Sequence, residues 1–324
     1  MERPKPMNQP FRTRPQLICS VCGSADHAPF ITTGTMMHEG ESADFRFNRC
    51  AVCDTVFLTN PVVEGDLGAF YTEAYLPYRG ETAWGRYAGW VRRDDERLNA
   101  KRVAWVRRFL PRDAVEAAVL DIGCGKPDFL AKLKSSERAH AVGIDRTAAQ
   151  WGDSKYSSLE LIEGDWRELK TERQFDVLTA WHYLEHDYHL SATERACHQL
   201  LKPGGVLIAE VPLYQGLLQR LQGPHWQGWH TPRHLTLFSV RSWKHAFPED
   251  RWNHLEHRTS GTLSAFTLWW LGHHEKRNGS WSGSMEPHFW GLVFWKVALA
   301  PLFLLERFIP LGIQTVVLQK KAHE

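Results

Sequence analysis

From residue 112 onward the chain alternates short apolar runs with helical patterns, and no other feature limits its architecture more. Apolar runs over 118–122, 140–144, 159–162, 175–179 and 206–211 read as five strands, with helices expected from about Asp128, Thr147, Asp165, Ser191 and Ser239. Strands separated by helical crossovers pair in parallel, because a connection of that length can return the chain to the same edge. The expected fold is α/β, a doubly wound Rossmann-like sheet, brought to seven strands by alternating segments over 252–262 and 313–320. Ligands of such sheets lie at the carboxyl ends of the strands.

The amino-terminal segment obeys another constraint. Cys19-x-x-Cys22 and Cys50-x-x-Cys53 have identical spacing, and two such turns supply four thiolates for a tetrahedral zinc ion, the spacing of a zinc ribbon over 17–60. A closed four-sulfur site is structural, contributing about 10 kcal/mol to a fragment too small for its own core. Cys124 and Cys197 are single and read as core thiols.

The strand ends are chemically specific. The first strand runs Val119-Leu120-Asp121-Ile122-Gly123-Cys124-Gly125-Lys126-Pro127-Asp128, with glycines at 123 and 125 that let the backbone approach a ligand. The third glycine of a dinucleotide-binding G-x-G-x-x-G falls on Asp128, whose charge repels a pyrophosphate, so NAD and FAD are disfavoured. The second strand ends Gly143-Ile144-Asp145, a carboxylate placed for ribose hydroxyls; the third ends Glu163-Gly164-Asp165-Trp166, a carboxylate for an adenine amino group beside an aromatic wall. These segments, with Leu201-Lys202-Pro203-Gly204-Gly205-Val206-Leu207-Ile208, resemble the successive motifs of class I S-adenosylmethionine-dependent methyltransferases. The leader, Phe70-Tyr71-x-x-x-Tyr75 and Pro232-Arg233-His234-Leu235-x-x-Phe238-Ser239 are similar to a bacterial branch acting on small molecules and glycans. The resemblance implies S-adenosylmethionine held by Asp121, Gly123, Gly125, Asp145, Asp165 and Trp166, with Trp181 beside the transferred methyl. Pro127 stands where the family pattern has glycine and removes one backbone donor near the methionine carboxylate.

Strand four leads into Trp181-His182-Tyr183-Leu184-Glu185-His186. The Asn or Asp-Pro-Pro-aromatic run of amino methyltransferases is absent, and imidazoles with pKa values near neutrality suit removal of a hydroxyl proton. His182, Glu185, His186 and His234 are the catalytic candidates. Glu-x-x-Glu-His occupies this place in quinone-biosynthesis and small-RNA O-methyltransferases, where the resemblance implies a divalent ion; His182-x-x-Glu185-His186 here keeps the last two positions, with His234 or His230 to complete a second metal site. The loop over 212–239 is expected to shape the substrate.

Composition sets the limits. Thirty-nine Lys and Arg against 37 Asp and Glu give no global field for nucleic acid, and 43% hydrophobic residues describe a core-forming chain. Residues 1–16 read as a disordered tail without a signal peptide, and 61–112 as a helical connector whose arginines suit either solvent or phosphate and lipid headgroups. Fifteen Trp is high, and nine of them fall from Trp226 onward. A helical insertion over 261–311 within the 113–324 catalytic domain has no uncharged run long enough to span a bilayer, so peripheral membrane contact competes with a lid or dimer face. The sequence is read as a cytosolic methyltransferase, either free or peripheral on the inner membrane face, acting on a small-molecule, sugar or lipid-linked hydroxyl, with no DNA partner. Its rivals are an RNA methyltransferase and a non-catalytic zinc-ribbon scaffold.

Overall fold

The computed structural model of the chain describes residues 11–39, 42–72, 75–111, 115–277 and 279–322. Strands β1 (His27–Thr33), β2 (Phe45–Cys50) and β3 (Val56–Leu58) form an antiparallel meander. In β2, Phe45, Phe47 and Cys50 are buried while Arg46 and Arg49 face out, the alternation of a sheet covered on one side. The disordered tail expected over 1–16 does not reach residue 11. Phe11 packs on Phe45 and Phe70, Arg12 pairs with Asp66, and Thr13 bridges to Val62; residues 1–10 lie outside the described residues.

The connector holds α1 (Leu76–Arg79) and α2 (Ala88–Arg107). The helix expected over 66–75 is instead a 3-10 stretch, Glu64–Phe70, where Gly65 and Gly68 lower helix propensity. α2 lays Val103 and Val106 on Val119, Val177, Val206, Ile208 and Val317 of the main sheet.

That sheet is built from β4 (Ala117–Ile122), followed by α3 (Asp128–Ser136), then β5 (Ala139–Asp145), β6 (Glu160–Glu163), β7 (Phe175–Trp181), α4 (Leu190–Leu200) and β8 (Leu201–Pro212). Beyond it come α5 (Leu217–Gln222), β9 (Thr236–Leu237), α6 (Trp243–Ala246), β10 (Trp252–Arg258), α7 (Ala265–Lys276), α8 (Phe289–Ala298), α9 (Ala300–Leu304) and β11 (Ile313–Lys320). The order is β10-β11-β8-β7-β4-β5-β6, with β11 antiparallel to both neighbours and the rest parallel, the doubly wound sheet expected from the strand pattern and the class I methyltransferase fold that the motif resemblance implies. The chain winds outward from β4 to β6 and returns to β7 on the other side, so the switch point lies between β4 and β7.

Three expected helices are absent at their full length. The stretches from Thr147 and Asp165 hold only the turns Ser154–Tyr156 and Trp166–Glu168, and Ser239 precedes the single turn of α6. Side chains satisfy the backbone there instead: Thr147 accepts from the Ala149 amide, Asp153 from Lys155 and Asp165 from Arg167.

β9 pairs with β3, so the sheet β1-β2-β3-β9 joins the amino-terminal segment to the loop after β8. This changes the meaning of the tryptophans in the loop over 212–239, which was expected to shape the substrate. Trp226 and Trp229 are fully buried, with Trp229 5.0 Å from Phe47, and Trp243 and Trp252 lie in the main core. Arg233 fastens the same junction: its guanidinium donates to the carbonyls of Met36, Met37 and Phe70 beneath the ring of Tyr75. Among the described residues no helix is long and apolar enough to cross a membrane.

Candidate active site

The loop after β4 turns through Gly123 (φ 68°) and Gly125 (φ 48°), a region open to glycine. A Cβ on Gly123 would meet the Tyr183 ring at 2.2 Å, so this close approach also excludes a side chain. Asp145 organises the loop, one oxygen accepting from the Gly125 amide at 2.9 Å and the other from Thr147 at 3.2 Å. Burial raises its pKa. Asp121 lies deeper and accepts from Thr179 Oγ1 at 2.6 Å; burial pushes it up to about 7. Pro127 starts α3 with φ −80°, and Asp128 is neutralised by Lys126 and Lys155.

Three expected cofactor residues are differently employed. Asp165 is held by Arg167, which also pairs with Asp187, so its oxygens are already engaged. Trp166 is a core residue whose indole donates to Tyr183 Oη at 2.9 Å, and the wall it was expected to form is left to Tyr183. Trp181 turns into the core on Phe129, with the Arg102 guanidinium 5.1 Å above its ring. This last pair matters, because Arg102 Nε and Trp181 Nε1 are both buried without a hydrogen-bond partner. The guanidinium is held charged against burial by Glu210, Asp121 and Asp95, and two stranded donors beside one another are a place for a further hydrogen-bond acceptor.

The segment after β7 carries the second half of the site. His182 (φ 56°) donates its amide to the Glu210 carbonyl at 2.7 Å and sets Nε2 3.1 Å from Glu210 Oε1 and Nδ1 3.3 Å from Glu185 Oε1. Burial opposes its charge, but the two carboxylates outweigh it and hold the imidazolium up to about 9. Glu210 also receives Thr262, Leu263 and Thr315 donors; burial raises its pKa, but His182, Arg102 and the Thr262 amide outweigh that and hold it at about 2. His182 is thus committed to Glu210 and does not join the metal set in which it was expected.

His234 takes that place. Ligand atoms of Glu185, His186 and His234 lie within 4.8 Å of one another. His186 Nδ1 is 3.1 Å from the Arg233 carbonyl and His234 Nδ1 2.8 Å from that of Gly228. A carbonyl only accepts, so each Nδ1 carries the proton and each Nε2 keeps its lone pair. Burial lowers both pKa values and keeps the rings neutral. Glu185 is fully buried, with Oε1 paired to the His182 imidazolium at 3.3 Å and neither oxygen in a well-aligned hydrogen bond. Two neutral imidazoles braced by carbonyls around a buried carboxylate with lone pairs to spare fit a divalent first-row metal. His230 is elsewhere engaged, 2.8 Å from Tyr75 Oη, while Tyr71 Oη reaches to 3.4 Å from His186 Nδ1.

The four cysteines also converge, their Sγ atoms within 4.8 Å of one another, with Cys19 to Cys53 and Cys22 to Cys50 both 3.5 Å. Cys53, receiving Cys19 and Thr55, is drawn down to about 4, toward thiolate. The donor set fits zinc.

Sequence reasoning missed Arg102, Glu210 and Tyr183. Glu210 is an acid inside the apolar run Val206-Leu207-Ile208-Ala209-Glu210-Val211, a visible anomaly. Arg102 sits among four other basic residues between 97 and 108 and has no signal of its own.

Residues 91–251 match a family model described as a methyltransferase domain. The chain is 34% identical over 116 residues to the ubiquinone biosynthesis O-methyltransferase of Pseudomonas aeruginosa (strain UCBPP-PA14), covering 33% of this chain and 49% of that protein. It is 33% identical over the same length, with the same coverage, to the protein of that name in Stutzerimonas stutzeri (strain A1501). The chain spans about half the length of these curated relatives. Among solved structures it is similar to the cyclopropane synthase MmaA2 from Mycobacterium tuberculosis, 14% identical, with 68% of this chain and 84% of that chain covered and a TM-score of 0.48.

Proposed function

The chain carries a methyltransferase domain of the class I S-adenosylmethionine-dependent fold, and from that premise we propose that it methylates a hydroxyl of a small-molecule, sugar or lipid-linked acceptor. The observation that carries the reading is one short segment, 181–186, which packs Tyr183 on Gly123 at one end and presents Glu185 and His186 at the other. It sets a nucleotide-type crevice beside a proton-accepting cluster.

S-adenosylmethionine bound in the crevice supplies an electrophilic methyl on a sulfonium. Asp145 is placed for its ribose, the Gly123 to Gly125 backbone for its close approach, and Arg102 with Trp181 Nε1 for its carboxylate, offsetting the donor missing at Pro127. His186 Nε2 takes the hydroxyl proton as the accepting oxygen attacks, and Arg233, through its carbonyl, holds the ring in the tautomer that can do so. His182, fixed by Glu210, keeps a positive charge against Glu185.

A second reading of the cluster is favoured by Glu185, whose buried oxygens make no well-aligned hydrogen bond. Glu185, His186 and His234 would hold a divalent cation, which supplies Lewis acidity toward the accepting hydroxyl. Zinc at Cys19, Cys22, Cys50 and Cys53 is then a separate, structural ion.

Calorimetric titration with S-adenosylhomocysteine tests the enzyme reading. Micromolar binding is expected; no heat and no thermal shift at millimolar ligand would leave the scaffold as the better account. Methyl transfer to RNA in preference to any hydroxylated small molecule would overturn the acceptor class.

A further inference from the structure

The insertion between β10 and β11 does not close on itself. α8 turns Phe289 inward onto Tyr87, their rings 3.8 Å apart, and leaves Trp290, Phe294 and Val297 outward at 66%, 63% and 70% exposure. Their spacing of four and three residues makes one helical stripe. Leu304 at the end of α9 and Phe308 beyond it are equally exposed, and Trp90 of α2 lies near Phe289. Scattered apolar residues on a surface need no explanation, but a ridge of large apolar side chains aligned on one helix face does.

What lies beside the ridge identifies the partner. The insertion runs along α2: Trp290 donates to Tyr87 Oη, Lys296 pairs with Asp94, and Glu306 lies in the field of Lys101. Along α2, Arg93, Arg97, Lys101 and Arg108 recur at helical spacing and form a basic stripe beside the ridge. All four are exposed, in a protein whose total charge is +2, so this stripe is a local concentration of positive charge. The stripe ends at a cavity of about 410 Å³ lined by Lys101, Trp105, Arg108 and Arg258, in which Trp105 lies between the two guanidiniums. Glu256 pairs with both arginines and leaves the cavity net positive.

We propose that this face docks on an anionic bilayer, the α8 ridge entering the headgroup region while the α2 stripe meets lipid phosphates. Apolar insertion and headgroup attraction are the two contributions that hold monotopic helices at an interface, and both occur here on adjacent elements. The inference goes beyond methyl transfer and stands whether or not the cluster at Glu185 is catalytic.

Co-sedimentation of the full chain with vesicles tests it, using phosphatidylcholine with and without phosphatidylglycerol. Partitioning is expected to be at least about tenfold stronger with the anionic lipid. The triple change Trp290→Ser, Phe294→Ser, Val297→Ser should abolish it, and Arg93→Gln with Arg97→Gln should weaken it about 25-fold, roughly fivefold for each arginine. All five side chains are exposed, and unchanged binding of S-adenosylhomocysteine or an unchanged melting temperature verifies that each variant is folded. Equal partitioning by the wild type and both variants, or no partitioning at all, overturns the proposal. So does a wild-type dimer in sedimentation that the triple change converts to a monomer without any vesicle binding, which would make the face an interface between copies.

Discussion

The four-cysteine cluster and the Glu185–His186–His234 cluster are the two groups of metal-competent side chains among the described residues, and they are built in opposite ways. The first comes from two short turns of identical spacing, Cys19-x-x-Cys22 and Cys50-x-x-Cys53, brought together by the pairing of β1 with β2. The second takes Glu185 and His186 from the turn after β7 and His234 from a loop that the amino-terminal sheet holds in place through β9. One is closed by four sulfurs; the other has three ligands, one of them a buried carboxylate in no well-aligned hydrogen bond. A repeated local motif makes a fastener, whereas an assembled, incompletely satisfied group makes a site for chemistry. The fastener serves the site, since losing the first sheet would free the strand next to His234.

The sharpest way to break this contrast is to open the fastener. Cys53→Ser, or extraction with a chelator, should cost most of the zinc contribution, about 10 kcal/mol for a four-thiolate site, and is expected to lower the unfolding midpoint of the whole chain because β9 belongs to the same sheet. Metal analysis should give about one tightly held zinc per chain; a zinc-free variant with an unchanged midpoint would show the cluster to be inert. Glu185→Gln should act on the other quantity. Turnover is expected to fall about 100-fold or more while the fold and S-adenosylhomocysteine affinity stay intact. In metal-free protein Glu185→Leu should lower the melting temperature, since it takes one of two carboxylates from the His182 imidazolium. A higher melting temperature would mean that His182 does not satisfy the carboxylate, as a cation site requires.

The same contrast explains what could be read from the sequence. Both cysteine turns, the glycines of the first loop, Asp145 and all seven strands are local patterns, so period and spacing exposed them. β11 appears over 313–320 as the alternation requires, despite fifty intervening residues. His182 was legible as a site residue but not its partner, because Glu210 reaches it only when β7 and β8 lie side by side. The helices expected after β5 and β6 failed where Thr147, Asp153 and Asp165 took over backbone amides. Tryptophan was visible as an excess, yet composition could not say that Trp226 and Trp229 weld two segments while Trp290 stays outside.

Arg102 sharpens the account of the assembled half. Its Nε and the neighbouring Trp181 Nε1 are stranded donors, so Arg102→Met should weaken S-adenosylhomocysteine about 10- to 100-fold, the range of one charge-assisted hydrogen bond. Adenosine, which lacks the amino-acid carboxylate, should bind wild type and variant alike. Equal losses for both ligands would assign Arg102 to the packing of α2 and not to the carboxylate.

The smallest effect concerns Asp121, beneath the first loop. Burial raises its pKa from the ordinary carboxylate range to about 7, with Thr179 and Arg102 opposing the rise. A carboxyl with a higher pKa when folded binds its proton more tightly in the native state. Its contribution to stability is therefore complete below about pH 4, declines as pH rises, and is lost through about pH 7. Asp121→Asn keeps the shape and the hydrogen bond with Thr179 but cannot ionise. The melting temperature of the variant relative to wild type should rise between pH 5 and about pH 8, measured by scanning calorimetry without ligand. A constant difference would mean that Asp121 does not titrate in this range. The crevice would then resemble the cysteine cluster, fixed in one charge state, and the loop between Asp121 and Gly125 would owe its conformation to Asp145 alone.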